Sequence, residues 1–481
     1  MGYIEGSDRD QQVLFPEVLD EYITADNPVR FLDAFVTSLD LVALGFRRAM
    51  ASQIGRPGYD PGDLLRLYLY GYLHRLRSSR KLEHESHRNV ELMWLLRKLR
   101  PDFKTIADFR RDNTAALKAV CREFTLLCKQ LDLFGGELVA IDGSKFRAVN
   151  SKQRNFSQPS LERLLAGIDA RIAQYLVGLD TQDAVDAVDA VEASTPVASA
   201  QELQQKIDGL RSRREKYTAL LAHLEASGET QISVTDPESR SMKVRGGTEV
   251  CYNVQTAVDD KYNLIVAHDV TNAPTDRGEL SGMARAANEV LAAPNLNVIA
   301  DMGYYSGPEV VTCLDAGITP TVPRPLTSAN AKRGLFTKEN FAYDAAHDQY
   351  RCPAGATLTY RFSTVEQGRG MRYYSTSACG TCAMKARCTR NKEARRITRW
   401  EQEAVLEAME QRLKATPELG TRRKAIVEHP FGTMKRGMDQ GYFLLRGQAK
   451  VRAEFSLTVL AYNLKRVINI VGVPRMMAAL A

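Results

Sequence analysis

The spacing of apolar and polar positions divides the chain into a helical beginning, a sheet-forming middle and a helical end. From Tyr59 to about Leu133 apolar residues recur at helical spacing. Asp60-Pro61 reads as an N-cap followed by proline at the first helical position, and LLRLYLYGYLHRL continues the pattern. LEHESHRNVELMWLLRKL, a short IADFRRD helix behind a capping Thr105, and AALKAVCREFTLLCKQLDL extend it to Gly135-Gly136. At Glu137 the texture changes. ELVAIDGSKFRAV opens with an apolar run of strand length that ends in Asp142, with glycine directly after it. EVCYNVQTAVD and NLIVAHDVT alternate as two adjacent strands around the turn Asp259-Asp260-Lys261. NLNVIADMGYYSG then repeats the order of short apolar strand, aspartate and glycine. Helices fall between these strands: RGELSGMARAANEVLAA, which Asp276 is placed to cap, and a shorter one from about Pro308 to Asp315 before the strand ITPTVPR. Late strands alternating with helices predict an α/β sheet core.

Two segments interrupt this core. SLERLLAGIDARIAQYLVGL and QELQQKIDGLRSRREKYTALLAHLEA flank the low-complexity stretch TQDAVDAVDAVEASTPVASA and predict an antiparallel helical hairpin inserted over 152–230. Residues 328–396 read as an irregular, Gly- and Cys-containing insertion before helix returns in WEQEAVLEAMEQRL. The end of the chain holds two basic helical stretches broken near Gly437–Gly441. The expected organisation is therefore an all-α domain over 1–135, an α/β core over 136–325 and 397–472, and the two insertions.

Composition narrows the function. A chain of 481 residues, 44% hydrophobic, can bury more than one core. Its 65 lysines and arginines against 58 acidic residues give +7, which favours a polyanionic partner. Several of the basic residues, Arg77 and Arg110 among them, fall on the short N-terminal helices and fit a small DNA-binding bundle of helix-turn-helix type; solvated helix faces are the equal alternative. No stretch reaches the roughly 18 apolar residues of a membrane span, and MGYIEGSDRDQQ lacks the order of a signal peptide, so a cytoplasmic protein without a membrane partner is expected. Eight cysteines are too sparse for a disulfide scaffold. Cys352, Cys379, Cys382 and Cys388 contain one CxxC and could close a tetrahedral structural Zn²⁺ site, with free thiols as the alternative. Cys121, Cys128, Cys251 and Cys313 sit in apolar contexts and read as core residues.

Three carboxylates stand where an α/β sheet exposes functional groups: Asp142 and Asp301 at strand ends and Glu428 on a helix. Hard cations such as Mg²⁺ prefer carboxylate oxygens, and acidic groups converging from different elements can hold two ions about 3.5–4 Å apart. Each carboxylate alone is weak evidence. Asp259, Asp269 and Asp276 are rivals for which turn, strand and helix-cap roles suffice. Lys424, Glu428 and Lys435, at i, i+4 and i+11, are expected on one helix face. Asn253 and Gln255 share a strand face by alternation.

The blocks AIDGSK, IADMGYYSG and EHPFGTMKR resemble, in order, the three signature blocks of bacterial insertion-sequence DDE transposases. YDPGDLLRLYLYGYLHRLRSSRKLE with PDFKTIADFRR is similar to the helical domain that precedes the catalytic core in that family. The resemblance implies an RNase H-like mixed sheet core with helical insertions behind an all-α N-terminal domain. Its triad falls on Asp142, Asp301 and Glu428, holding two Mg²⁺ or Mn²⁺ ions. It implies binding of terminal inverted repeats, cleavage, and strand transfer into target DNA by a nucleoid-associated homodimer. DNA contacts are expected from Lys145, Arg423, Lys424, Lys435, Arg436, Arg446, Arg77 and Arg110. The family's Lys after the Glu matches Lys435, but Lys424 stands for its Arg and Thr421 for its Tyr. An RNase H-like nuclease and a domesticated, non-catalytic DNA-binding protein are the alternatives.

Overall fold

The computed structural model describes residues 18–50, 57–186, 200–325 and 328–480. Its N-terminal helices start where side chains can accept the first backbone N–H groups. Asn27 and Asp60 cap α1 (Pro28–Ser38) and α2 (Pro61–Leu73), each with proline at the helix start. α3 (Ser79–Ser86), α4 (Val90–Leu95), α5 (Phe103–Asp112) and α6 (Thr114–Gln130) follow. The cap of α5 is Asp102, not the expected Thr105: its carboxylate accepts from the N–H groups of Lys104 and Thr105.

These helices do not close a core of their own. Leu65, Leu67, Tyr68 and Tyr72 of α2 are fully buried, and α2 and α6 pack along the last helix of the chain, Gln448–Ala478. One continuous apolar core runs from Val29 through Ile141 to Leu460, so the helical and sheet halves share it. Packing on this scale corrects two expectations. Arg77 and Arg110, expected on DNA, are each only 6% exposed. Arg77 donates to the Tyr442 carbonyl at 2.7 Å and stands 3.5 Å from the buried carboxylate of Glu454. Arg110 points at the Tyr72 hydroxyl and lies over the Tyr68 ring. Both guanidiniums serve the junction between the two halves, where Glu454 needs a positive partner.

The central sheet begins with β1 (Leu138–Arg147). β2 (Asn155–Ser157) and β3 (Gln231–Ser233) form a small ladder at the base of two long helices, α7 (Gln158–Asp186) and α8 (Ala200–Ser227), which pack on each other as the predicted hairpin. Most of the low-complexity stretch between them lies outside the described residues. β4 (Arg240–Val244), β5 (Gly247–Asp259), β6 (Ile265–Thr271), β7 (Asn297–Ile299) and β8 (Thr319–Thr321) complete the sheet, with α9 (Leu280–Leu291) and α10 (Gly307–Asp315) in the connections. β5 runs antiparallel to β1, and its other edge carries β4 and β6. β7 lies parallel to β1 and β8 parallel to β7. The result is a mixed sheet in the order β4-β5-β1-β7-β8, with β6 beside β5.

The Cys-containing segment is more regular than its sequence indicates. After α11 (Ala329–Lys332) it builds an antiparallel sheet of β9 (Ala342–Asp344), β10 (Gln349–Arg351), β11 (Thr357–Glu366), β12 (Arg369–Ser375) and β13 (Ile397–Trp400), with the one-turn α12 (Lys385–Cys388) before the last strand. β11 is exposed at nearly every position, although Leu358, Tyr360 and Phe362 alternate along it as a strand signal that the irregular reading of this segment passes over. The chain ends with α13 (Glu403–Ala415), α14 (Leu419–Gly432), a π-helical turn over Thr433–Gly437, and α15 (Gln448–Ala478). Among the described residues, no helix is long and apolar enough to cross a membrane.

Candidate active site

Side chains alternate along β1, so Asp142, Ser144 and Phe146 share one face and Gly143 and Lys145 the other. The first face is covered by α14 and the turn after it. Arg423 reaches Asp142, Phe431 packs edge-on against Phe146, and Lys435 donates to Ser144. β7 pairs with β1 in the register Ala140↔Ile299. Asp142 lies in the middle of β1, not at its end as expected, because the strand continues to Arg147; Asp301 follows two residues after the end of β7, near enough for its charge to act on Asp142. Asp301 is fixed there because it caps the one-turn helix Met302–Tyr304, accepting the Gly303 N–H at 2.8 Å. Asp142 accepts the N–H of Gly143, also at 2.8 Å.

Asp142 is a strained acid electrostatically. Burial pushes its carboxyl up to about 6; Arg423, 3.4 Å away, opposes this, while the negative charges of Asp301 and Asp276 add to it. Such a carboxylate is short of positive charge in its surroundings. Lys435 is the next cation along: its Nζ donates to Ser144 Oγ at 2.6 Å and to the Lys145 carbonyl at 2.9 Å, and sits over the Phe146 ring. Burial holds its pKa below the usual lysine range.

The predicted common face of Lys424, Glu428 and Lys435 does not form. The π-helical turn at Thr433–Gly437 changes the angular phase between Glu428 and Lys435, so Lys435 turns inward to β1 while Lys424 and Glu428 are exposed. The buried stripe of α14 is Ile426, Val427, Pro430 and Phe431. Arg422, on one flank, pairs through Nε with Asp260 at 2.8 Å, just beyond the end of β5. His429 faces away from β1: its Nδ1 lies 3.0 Å from the Tyr462 hydroxyl and its Nε2 3.1 Å from Arg466. Arg436 and Arg446 are exposed, whereas Lys145 is held by Asp276 at 3.3 Å.

Asp276 is not the cap of α9, whose N-terminal residue is preceded by Glu279. Its carboxylate instead accepts from Asn253, Gln255 and Lys145 beside Gly143. A signal for this existed in the sequence. Asn253 and Gln255 share one face of β5, and both are fully buried, so each required a polar partner from another element.

In the second sheet Cys352, Cys379, Cys382 and Cys388 line one cavity of about 20 Å³, with Phe336, Phe341 and Arg395. Cys352 and Cys388 pack against the small core of Phe341, Tyr350, Leu358, Tyr374 and Ile397. Burial raises the Cys388 thiol; Arg395 opposes this, and the other three thiols add to it. Among the described residues, no three His, Cys, Asp or Glu side chains already converge closely enough to hold an ion.

Two family models match the chain. One, described as a transposase DDE domain, covers residues 351–468; the other, described as a transposase domain (DUF772), covers residues 17–112. The first takes in Glu428 and Lys435 but neither Asp142 nor Asp301. No curated protein matches the sequence. A cryo-EM structure of a piggyBac transposase synaptic complex with hairpin DNA aligns at 9% identity and a TM-score of 0.32, over 95% of this chain and 80% of that one.

Proposed function

The chain belongs to the DDE transposases, and on that premise we propose that it cuts DNA at the ends of its own mobile element and joins them to target DNA, with Asp142, Asp301 and Glu428 holding divalent metal ions. The observation that carries this reading is that Asp142 on β1 and Asp301, two residues past the end of the parallel neighbour β7, lie near enough for the charge of one to raise the pKa of the other. The strand order, with three antiparallel strands on one side of the sheet and two parallel ones on the other, supports an RNase H-like core. Glu428 fits as the third carboxylate by helical geometry. At about 100° per residue, Arg422 and Glu428 fall roughly a third of a turn to either side of the buried stripe. Arg422 turns toward Asp260 just past β5, and we assign exposed Glu428 to the opposite flank of α14, from which it would complete the set with Asp142 and Asp301.

The donor set suits Mg²⁺ or Mn²⁺: paired carboxylates, one of them buried and raised toward neutrality, offer hard oxygen ligands with a charge deficit that a divalent ion would remove. Bound there, two such ions would lower the pKa of the attacking hydroxyl and stabilise the leaving oxygen at phosphorus. The protein's own groups do the rest. Asp142 and Asp301 hold fixed oxygens, one on a strand and one on a capped turn. Arg423 and Lys435 supply cations on the same face for the phosphates beside the cut, and exposed Lys424, Arg436 and Arg446 extend a basic surface along α14 and the segment before α15. Joining two ends requires two active sites, and we read the active form as a homodimer, for which the α7–α8 hairpin with its exposed Leu164 and Leu176 is the contact.

Incubation of the protein with DNA carrying the element's ends, Mg²⁺ and a target plasmid is expected to give cleaved and joined products. Asp142→Asn, Asp301→Asn and Glu428→Gln are each expected to abolish both while leaving DNA binding intact. Cleavage without joining in the wild type would replace transposition with a nuclease activity, and full activity of any one variant would remove that residue from the site.

The cysteine cavity supports a second, structural ion. Four thiols around a space for a single water-sized sphere, on a sheet whose own core has only five buried apolar residues, form a donor set that Zn²⁺ would close tetrahedrally by drawing the sulfurs inward.

A further inference from the structure

Asp276 has no part in the triad and caps no helix, yet it is the most heavily hydrogen-bonded carboxylate near Asp142. Its Oδ1 accepts from Asn253 Nδ2 at 2.6 Å, Gln255 Nε2 at 2.8 Å and Lys145 Nζ at 3.3 Å. Gln255 is fully buried, and its Oε1 accepts from the hydroxyl of Tyr304, which is also fully buried. Tyr304 closes the one-turn helix that Asp301 caps. An unbroken chain of hydrogen bonds therefore runs from Asp276 through the Gln255 amide to the turn that carries Asp301.

This chain passes directly over the residue after Asp142. A Cβ at Gly143 would lie 2.6 Å from Asp276 Oδ1, 2.6 Å from Gln255 Nε2 and 3.1 Å from the Tyr304 hydroxyl oxygen. The strut thus touches β1 at Gly143 and β7's outgoing turn at Tyr304, one residue from Asp142 and three from Asp301. Its internal logic is directional. An amide has one donating and one accepting end, and between a carboxylate and a phenol both are satisfied in only one orientation, with nitrogen toward Asp276 and oxygen toward Tyr304. The negative charge of Asp276 enforces that orientation. Without it the amide loses its reason to present oxygen to Tyr304, whose buried O–H would then be left without an acceptor.

We propose that Asp276 is a positioning residue: acting through Gln255 and Tyr304, it sets the distance of Asp301 from Asp142 and so the affinity of that pair for a divalent ion. The consequence for catalysis rests on the transposase reading above, whereas the strut itself rests only on the hydrogen bonds. It requires no contact of Asp276 with DNA or metal.

Tyr304→Phe deletes one hydroxyl at the far end of the strut and leaves the ring in place; Asp276→Ala deletes the other end. Three measurements apply to the full chain: amide hydrogen exchange over residues 301–305, Mn²⁺ binding without DNA by electron paramagnetic resonance, and Mn²⁺-dependent cleavage kinetics. Both variants are expected to exchange faster in this segment and to bind Mn²⁺ about tenfold more weakly, the scale of losses behind a ligand shell. Their kcat is expected to fall while KM for DNA is unchanged, a split that a general loss of stability would not produce. Should Asp276→Ala fail to fold, Tyr304→Phe decides alone. Wild-type exchange and wild-type Mn²⁺ affinity in Tyr304→Phe would overturn the proposal. If the wild-type protein itself shows no Mn²⁺-dependent cleavage, the transposase reading falls, and exchange over 301–305 still decides whether the strut exists.

Discussion

The guanidinium of Arg423 stands 3.4 Å from the carboxylate of Asp142, with the two side chains only 15% and 23% exposed. The protein thus brings a cation of its own to the acid that the proposed reaction needs for metal. A guanidinium and a divalent ion compete for the same oxygen charge, and a half-buried pair of this kind is worth about 1 kcal/mol.

Arg423→Gln is therefore expected to tighten Mn²⁺ binding roughly threefold to tenfold, in line with the loss of about 1 kcal/mol of competition. The titration belongs at pH 8, above the raised Asp142 pKa of about 6, so that protonation does not mask the effect. DNA cleavage by the same variant is expected to fall, because the displaced guanidinium is then missing from the phosphates. A parallel weakening of Mn²⁺ binding and cleavage would count against competition.

Gly143→Ala tests the same region by steric means. Gly143 is not among the residues with positive φ, so the backbone itself tolerates alanine, and the cost arises wholly from the 2.6 Å approaches to Asp276 and Gln255. We expect a loss of about 1–3 kcal/mol in chemical denaturation, with faster exchange over 301–305. Unchanged stability would mean that the strut yields without cost.

Acid sensitivity is predicted at His268. The half-buried ring packs edge-on against Phe455, its Nε2 lies 2.8 Å from Ser456 Oγ, and desolvation pushes its pKa down to about 3 from the ordinary 6.5. The folded state keeps this imidazole neutral while the unfolded chain takes up a proton below 6.5, so stability is lost as pH falls from 6.5 toward 3. By pH 5 this single group costs about 2 kcal/mol. His268→Gln, which retains a polar partner for Ser456, is expected to lose visibly less stability than wild type between pH 7.5 and pH 5. His74 and His429 are also lowered by burial and leave a residual slope in both proteins. Identical denaturation midpoints at both pH values for wild type and variant would refute the assignment to His268.

For the cysteine cavity, protein purified without chelator is expected to contain one Zn²⁺ per chain and to show thiolate-to-metal charge transfer when Co²⁺ replaces it. Cys382→Ser is expected to lose the metal and to lower the melting temperature, while Cys313→Ser, at a buried core thiol, leaves the metal content unchanged. Metal-free protein with four thiols reacting freely would eliminate the ion.

Periodicity identified the helical beginning, the strands around Asp142 and Asp301, and the hairpin, because each carries a sustained apolar repeat. It failed where that signal was short or set among turn residues. β11 carries the alternation Leu358, Tyr360 and Phe362, but the glycines and cysteines around it gave the segment an irregular look. The faces of Lys424, Glu428 and Lys435 followed ideal helix geometry, but a π-helical turn intervenes that no local pattern announced. Arg77 looked like a solvent-facing cation because its partners, Glu454 and Tyr442, lie more than 300 residues away, and Arg110 because its partners, the Tyr72 hydroxyl and the Arg77 carbonyl, are on α2 and the segment after it.

The sequence by itself determined most of the strands and helices, that Asp142 lies on one strand and Asp301 closely follows another, and that four cysteines cluster late in the chain. These follow from short-range rules of sterics, capping and burial period. Only the tertiary structure decided that the N-terminal helices share one core with the sheet and that Arg423 faces Asp142. It alone showed that Asp276, read as a helix cap, is tied through Gln255 to the turn of Asp301. Each of these joins side chains remote in the chain, whose partners are chosen by the need to pair buried charge and polar groups once packing has excluded water.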